Sequence, residues 1–461
     1  MDGQWDLTEA ALALRSGKIT AETLLDQHLQ TIALQQPRLN CFVTLDEAGA
    51  RAQAKASAAR HLAWAPLSML DGIPIALKDN IDVAGLPTSN GTAELRPASN
   101  DATVTARLRA AGAVLLGKTN LTEFALGASQ QYGPNRNPWD LNRFTGGSSG
   151  GSGSATAAFL CATSLGEDTG GSIRRPAAWC GLAGLRPSWG RVSRYGVAAG
   201  SWSMDQVGPI SRTVEDAAIT MNVIAGYDPK DVASAKVDIP DYTTALTGDV
   251  RGLRIGMPKE YFEAPLDPQV RKAVLDAVSM LESMGAVVKE VSFPMFNQSQ
   301  AISSTVLMAE ASAYHRDLLE KDGHQLYEPV RQRLEAGLFI SAADYLRAQQ
   351  ARALLDQEGR RLLDDVDLLA GPTEPVTAPQ LLAERVQVGE HEMGTVAALT
   401  QYSRPYNLTG FPAIAIPCGF SESGMPISLQ LAGRPFDELT VLRAAHAYEQ
   451  ATDWHKRRPP I

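Results

Sequence analysis

The sequence predicts a single α/β domain spanning residues 1–461. Two observations carry that prediction. Short apolar stretches that read as strands alternate with helix-periodic stretches from one end to the other, the pattern of a sheet covered by helices. Hydrophobic residues make up 44% of the chain and charged residues 20%, enough apolar side chain for one large core. No internal repeat or low-complexity tail breaks the alternation.

Residues 7–34 read as two helices, with Thr8 capping the first, Gly17 ending it and Thr20 capping the second. In the second, Leu24, Leu25, His28, Leu29 and Ile32 recur at helical spacing, which makes His28 a core histidine. Residues 46–63 form an Ala-rich helix. Ile73–Leu77 is a short buried strand, and Lys78 follows at its C-terminal end, where open sheets commonly present their chemistry. Residues 101–111 read as a helix and Ala113–Leu116 as a strand. Asn137–Asp140 is a turn, and the small-residue run Ala155–Leu165 reads as a buried helix. Tight turns between short strands follow at Gly181–Pro187 and Gly190–Gly196. Val214–Ala225 is a helix and Asp228–Asp249 a surface excursion. Strands at Leu253–Met257 and Ala286–Phe293 flank a helix at 267–284. Helices at about 300–320 and 341–363 come next, then strands at Val366–Ala370, Ala413–Pro417 and Ile427–Leu431, and a last helix at 437–451.

Composition excludes several functions. The net charge is −9 and no basic run is present, which disfavours nucleic acid as a partner. No apolar run approaches the roughly 18 residues of a membrane span. The start, MDGQWDLTEAAL, lacks the basic and apolar regions of a secretory signal, so a cytoplasmic chain with no membrane partner is expected. Cys41, Cys161, Cys180 and Cys418 are widely spaced, as reduced buried thiols would be. None of the seven histidines lies between His61 and His315, and no metal or cofactor is expected.

The chemistry concentrates between Arg143 and Pro176. Two glycine–serine clusters, Gly146–Ser154 and Gly170–Ser172, lie close together there. Serine supplies a nucleophile or a proton relay, and glycine lets backbone amides approach a reacting atom. Such runs are commonly linkers. Here Trp139, Phe144, Phe159, Leu160 and Cys161 flank the clusters, which is core composition. Lys78 follows an apolar strand, and burial disfavours the charged form of an amine, so Lys78 is a candidate base. Two other patterns are weaker. Gly112–Thr119 fits the phosphate-loop pattern G-x-x-x-x-G-K-[ST], but its variable residues Ala113–Leu116 favour a strand. The G-x-S-x-G pattern occurs around Ser148 and Ser149 without the strand that a nucleophile elbow needs.

Lys78 after a buried strand, GGSSGGS, and Asp168-Thr-Gly-Gly-Ser-Ile-Arg174 together resemble the amidase signature family of serine hydrolases. The match is dense from Leu70 to Gly226, through GIPIALKDNIDVAG, GAVLLGKTNLTEFALG, RNPWD, GGSSGGSGSA, DTGGSIRRPA, GLRPSWGRVSRYGV and MDQVGPISRTVEDA. NLTGFPAIAIPCGF and MPISLQLAGRPFDE match more loosely, and about 230–400 matches weakly.

The resemblance implies a large mixed, twisted sheet covered by helices on both faces. It implies a core at about 60–226 plus 405–440 and a substrate-selecting insert at about 230–400. It implies Ser172 as nucleophile, Ser148 as bridging serine after a cis peptide from Gly147, and Lys78 as base. The oxyanion donors would be the amides of Thr169, Gly170, Gly171 and Ser172. Asp168 and Arg174 would hold that loop, with Ser149 in support, and Leu126 and Gly127 would line the acyl pocket. The implied activity is hydrolysis of a carboxamide to an acid and ammonia or an amine, through an acyl-enzyme. Two outcomes compete within the family: a free-standing amidase, and the glutaminase subunit of an aminoacyl-tRNA amidotransferase. Such subunits usually carry an aspartate just before the segment matching Asn407–Gly410. Thr400–Arg404 has no carboxylate there, and Ser201–Asp205 looks more like the hydrolases, which favours the free-standing enzyme. The expected partner is then a small-molecule amide, with no nucleic acid and a homodimer left open. A nucleotide-binding protein built on Gly112–Thr119 is the reading from another class.

Overall fold

The computed structural model describes residues 4–127 and 131–461, so Met1–Gly3 of the start segment lie outside it. An eleven-stranded sheet runs through the protein. Its strands are β1 Phe42–Leu45, β2 Pro74–Lys78, β3 Val114–Thr119, β4 Thr163–Glu167, β5 Ala183–Arg186, β6 Val207–Ser211, β7 Arg254–Pro258, β8 Val287–Val291, β9 Leu368–Pro372, β10 Ala413–Phe420 and β11 Pro426–Gly433. They lie in the order β1-β3-β2-β4-β6-β5-β10-β11-β9-β7-β8, and helices flank them. The sheet is mixed, as expected. β2 runs parallel to β3 and β4, β7 runs parallel to β8 and β9, and antiparallel pairs join the two groups. β2, β4 and β6 are buried at every position, as strands covered on both faces of a sheet are.

Register positions the site. Leu77 of β2 lies opposite Leu165 of β4. Lys78 and Glu167, each the last residue of its strand, therefore emerge side by side at one end of the sheet.

The local expectations hold with some corrections. Thr20 caps its helix by accepting from the Thr23 amide. The first helix is capped by Asp6, not Thr8: Asp6 accepts from the Glu9 amide and the Glu9 carboxylate returns a bond. Thr8 instead donates to Asp216, 2.8 Å away. His28 is buried with Nδ1 3.0 Å from the Phe159 carbonyl, and burial pushes it down to about 4. All four cysteines are buried free thiols. The phosphate-loop pattern is a strand, and the Lys118 ammonium is buried against Asp79 at 2.7 Å and Thr88 at 3.0 Å, so the nucleotide reading is withdrawn. Among the described residues, no helix is long and apolar enough to cross a membrane.

The buried small-residue helix runs from Gly150 to Ala157, earlier than Ala155–Leu165, and the chain then turns at Phe159 (φ 57°) into β4. Helix propensity argues against GGSGSATA. Packing overrides it. A Cβ at Gly151 would sit 2.5 Å from the carbonyl oxygens of Asn120 and Cys41, and one at Gly153 would sit 2.8 Å from Pro176. Only a bare backbone lets this helix approach so closely. Strands β1 and β6 are not among the sequence expectations, β4 takes over the end of the run expected to be helical, and two further elements leave no clear trace in the sequence. The helix Glu328–Gly337 buries only Val330, Leu334 and Gly337, and the hairpin Arg385–Val388 with His391–Gly394 buries only Val388. Their apolar periodicity is too sparse to register.

Gly151→Ala should destabilise the protein by about 1–3 kcal/mol or more, because both opposing atoms belong to the backbone. Gly394→Ala, where a Cβ meets nothing within 4 Å, should stay within about 0.5 kcal/mol in the same denaturant titration.

Candidate active site

Lys78 Nζ lies 2.7 Å from Ser148 Oγ, 2.9 Å from Glu167 Oε2 and 3.1 Å from the Glu167 carbonyl oxygen. An ammonium group has three donors, and these acceptors use all of them. Both Lys78 and Glu167 are fully buried. Ser148 follows a cis peptide from Gly147, two residues before the glycine-rich helix begins. Ser172 lies in the loop after β4. Ser148, Ser172, Thr169, Gly170, Leu126 and Gly127 all line one cavity of about 590 Å³. The structure thus joins Lys78 to Ser148 directly and opens both serines onto the same space.

Asp168 shapes the loop that carries Ser172. One carboxylate oxygen accepts from the Gly171 amide at 2.7 Å and from Asn407 at 2.7 Å. The other accepts from the Ile173 amide at 3.2 Å and from Arg174 Nε at 3.1 Å. Arg186 also points at Asp168, 3.8 Å away, and all three charged side chains are fully buried. Burial raises the Asp168 carboxyl, and the two guanidinium groups more than reverse that, holding it well below the usual carboxylate range. Arg174 also reaches Gln430 and Asn407, so the loop is tied to β11 and to the helix Arg404–Thr409.

Of the four expected oxyanion donors, Gly171 is the exception, since its amide is already committed to Asp168. The amides of Thr169, Gly170 and Ser172 have no protein acceptor among the described residues. Gly171 is a glycine for a different reason. Its φ is +103° and a Cβ would meet Ser403 Oγ at 2.5 Å, whereas a Cβ at Gly170 meets nothing within 4 Å. Leu126 lines the cavity and also packs with Phe124, Ala311 and Val330. A Cβ at Gly127 would strike Val330 at 2.6 Å. Ser149 Oγ donates to the Glu167 carbonyl at 3.2 Å and so braces the end of β4.

Two further residues enter the site that the sequence does not single out. Arg175, the second arginine of GGSIRRP, donates to the carbonyls of Gly147 at 2.8 Å and Gly170 at 3.0 Å, clamping the two glycine–serine clusters together. It also pairs with Glu374 at 3.1 Å. The other is Glu167, which precedes Asp168 in the motif and gives Lys78 a carboxylate neighbour in place of isolation. A carboxylate closing a buried strand needs a cationic partner, and that is the signal its position offers. Beyond Glu167, the Thr169 hydroxyl lies 2.6 Å from Glu167 Oε1 and 2.7 Å from Asp205 Oδ1. Burial and the adjacent Glu167 push the Asp205 carboxyl above its ordinary range, against the Gly200 and Ser201 amides that it accepts from. The side chains form an unbroken line: Ser148, Lys78, Glu167, Thr169, Asp205.

Asp168→Asn leaves Arg174 and Arg186 without their buried counter-charge. It should cost about 3–5 kcal/mol of stability in a denaturant titration, against about 1 kcal/mol for Ser149→Ala.

Comparison with known proteins bears on this arrangement. The sequence model of the amidase family matches residues 23–442. The A subunit of glutamyl-tRNA(Gln) amidotransferase from Chloroflexus aurantiacus is 44% identical, over 99% of this chain and 98% of the relative. A solved structure from a vestigial protein complex, described as revealing the origins of an s-triazine catabolic enzyme, superposes with a TM-score of 0.93 at 34% identity, covering 97% of this chain and 98% of the other. The A subunit of the Thermotoga maritima glutamyl-tRNA(Gln) amidotransferase superposes with a TM-score of 0.79 at 34% identity, covering 94% of this chain and 92% of the other. These names correct one expectation. A partner set limited to a small-molecule amide, with no nucleic acid and at most a second copy, does not stand when full-length relatives are named as one subunit of a tRNA amidotransferase. Family match, fold and relatives agree: the chain is an enzyme acting on amides and belongs to the amidase family, the amidase signature enzymes.

Proposed function

We propose that this chain cleaves a carboxamide C–N bond through an acyl-enzyme on Ser172, and that it does so as the ammonia-releasing subunit of an amidotransferase. The contact that carries the reading is Lys78 Nζ to Ser148 Oγ at 2.7 Å, at a cavity that Ser172 also lines and onto whose loop three uncommitted amides fall. The names of the relatives support the subunit role.

Lys78 first passes a proton to Glu167 and presents its lone pair. Ser148 gives its hydroxyl proton to Lys78 and takes that of Ser172, whose Oγ bonds the amide carbon. The oxyanion is held by the amides of Thr169, Gly170 and Ser172, each able to contribute about a hundred- to thousandfold in rate. The C–N bond then breaks, and Ser148 returns a proton to the leaving nitrogen. Water enters by the same relay and releases the acid. Asp168 and Arg174 keep the loop in shape. Leu307, Met308, Tyr327, Leu381 and Thr400 contribute to the cavity wall, which supports a substrate-selecting role for 230–400.

A second reading, a free-standing hydrolase of some other carboxamide, is favoured by one specific observation. Thr400–Arg404 reaches the cavity through Thr400 and Arg404 and brings no carboxylate for a glutamine ammonium.

Ammonia release separates them. Glutamine turned over well ahead of a panel of alkyl and aryl amides supports the amidotransferase role. A panel amide turned over with glutamine inert supports the hydrolase. Ser172→Ala should lose roughly four orders of magnitude in kcat or more, and retained activity defeats both readings. Glu167→Gln cannot take up the lysine proton. It should lower kcat by about a hundredfold or more with KM little changed, and Glu167→Asp should recover part of the loss.

A further inference from the structure

A turn at residues 200–205 packs against the loop that carries Ser172, and the steps proposed above leave it without a role. The Ser201 carbonyl accepts from the amides of Met204 and Asp205, which makes the turn. The Asp205 carboxylate accepts from the amides of Gly200 at 2.8 Å and Ser201 at 2.9 Å, which closes it. Asp205 Oδ1 also lies 2.7 Å from the Thr169 hydroxyl, so the turn and the loop meet there. The approach is close: a Cβ at Gly200 would lie 3.3 Å from Thr169 Oγ1.

A single carboxylate grips the same turn from the helix Ser299–Tyr314. Glu310 Oε2 accepts from the Ser201 hydroxyl at 2.5 Å and from the Ser203 amide at 3.0 Å. Its Oε1 accepts from the Ser203 hydroxyl at 2.8 Å and from the Tyr345 hydroxyl at 2.8 Å. These bonds fill the acceptor sites of both oxygens, and all but the bond from Tyr345 come from the turn. Arg352, on the helix Ala342–Asp365, adds bonds to Ser203 Oγ at 2.7 Å and to the Ser203 carbonyl at 2.9 Å. Hydrogen bonds to a charged group are roughly twice as strong as neutral ones, so the helix sets where the turn sits. The helix also reaches the cavity: Ser304, Leu307 and Met308 line it, within about two turns of Glu310.

We propose that Glu310 is a positioning residue for amide cleavage: it sets the turn 200–205 against Thr169 and so holds that end of the loop where the Thr169 amide meets the developing oxyanion. The inference rests on the reading that Ser172 opens the amide in this cavity. Glu310 touches no reacting atom and acts through Ser201, Asp205 and Thr169. A displacement of about 1 Å at a reacting centre can cost about a hundredfold in rate, which is the scale on which such a brace matters. The same helix carries part of the cavity wall, so an occupant that presses on Leu307 or Met308 bears on the loop through Glu310.

The test measures kcat and KM on an amide that the wild-type enzyme cleaves, together with the rate at which a fluorophosphonate labels Ser172. Glu310→Ala should lower kcat about tenfold or more with KM within about threefold of the wild type, because lost orientation is felt in the transition state. Labelling should slow by a similar factor. Glu310→Gln keeps an acceptor oxygen for the Ser203 amide and should recover part of the loss. A double-mutant cycle then separates this route from general loosening of the fold. Thr169→Val already lacks the hydroxyl that meets Asp205, so adding Glu310→Ala to it should cost less than about twofold in kcat. Ser203→Ala removes one donor to Glu310 from the turn and should lower kcat by about threefold with KM held, a readout that stands even if Glu310→Ala does not fold. Wild-type kcat in these variants, a loss confined to KM, or full additivity with Thr169→Val overturns the inference and leaves amide cleavage standing. If the wild type cleaves no amide of the panel and takes no label on Ser172, amide cleavage itself fails and the inference falls with it.

Discussion

The buried carboxylate of Asp168 is the interaction on which the rest of the site depends. It sits between two fully buried guanidinium groups and accepts from two backbone amides of the loop that carries Ser172. Its partners come from distant parts of the chain, Arg186 on β5 and Asn407 beside β10. One side chain thereby fixes loop conformation, fixes which amides remain open and joins the two halves of the sheet. Ion pairs with no access to water are sensitive to geometry, because an imperfect pair leaves a desolvated charge behind. That sensitivity keeps the loop in one shape.

A second constraint is the parallel pairing of β2 with β4. Parallel strands present their C-terminal ends together, and here those ends are Lys78 and Glu167. The lysine thus meets a serine and a carboxylate in one buried place without any local sequence relation between them. The hydroxyl of Thr169 and the raised carboxyl of Asp205 extend this hydrogen-bonded line beyond Glu167.

Much of this is legible in the residues. Interleaved strand and helix patterns give the α/β class, and the small-residue clusters mark the loops that face the cavity. Lys78 stands out because an apolar strand leads into it. What stays hidden shares one cause: it depends on partners remote in sequence. Glu167 is an ordinary glutamate until β2 is laid beside β4. Arg175 is an ordinary arginine until Gly147 and Gly170 are brought within 3.0 Å of it. The helix Gly150–Ala157 contradicts its own propensities and forms because Cys41 and Asn120 press against bare backbone. The helix Glu328–Gly337 and the hairpin at 385–394 bury too few apolar residues to announce themselves, yet they lie beside the wall of the cavity.

Arg175 has a mechanical consequence. Its guanidinium holds the peptide before Ser148, the peptide before Gly171 and the carbonyl of Leu399 at once. Leu399 and Thr400 belong to the wall of the cavity. A displacement of that wall is transmitted through a single rigid plane of atoms to both serine-bearing segments. On the proposed function, fit and turnover are therefore geared to each other, and reshaping the wall for a new molecule alters rate along with preference.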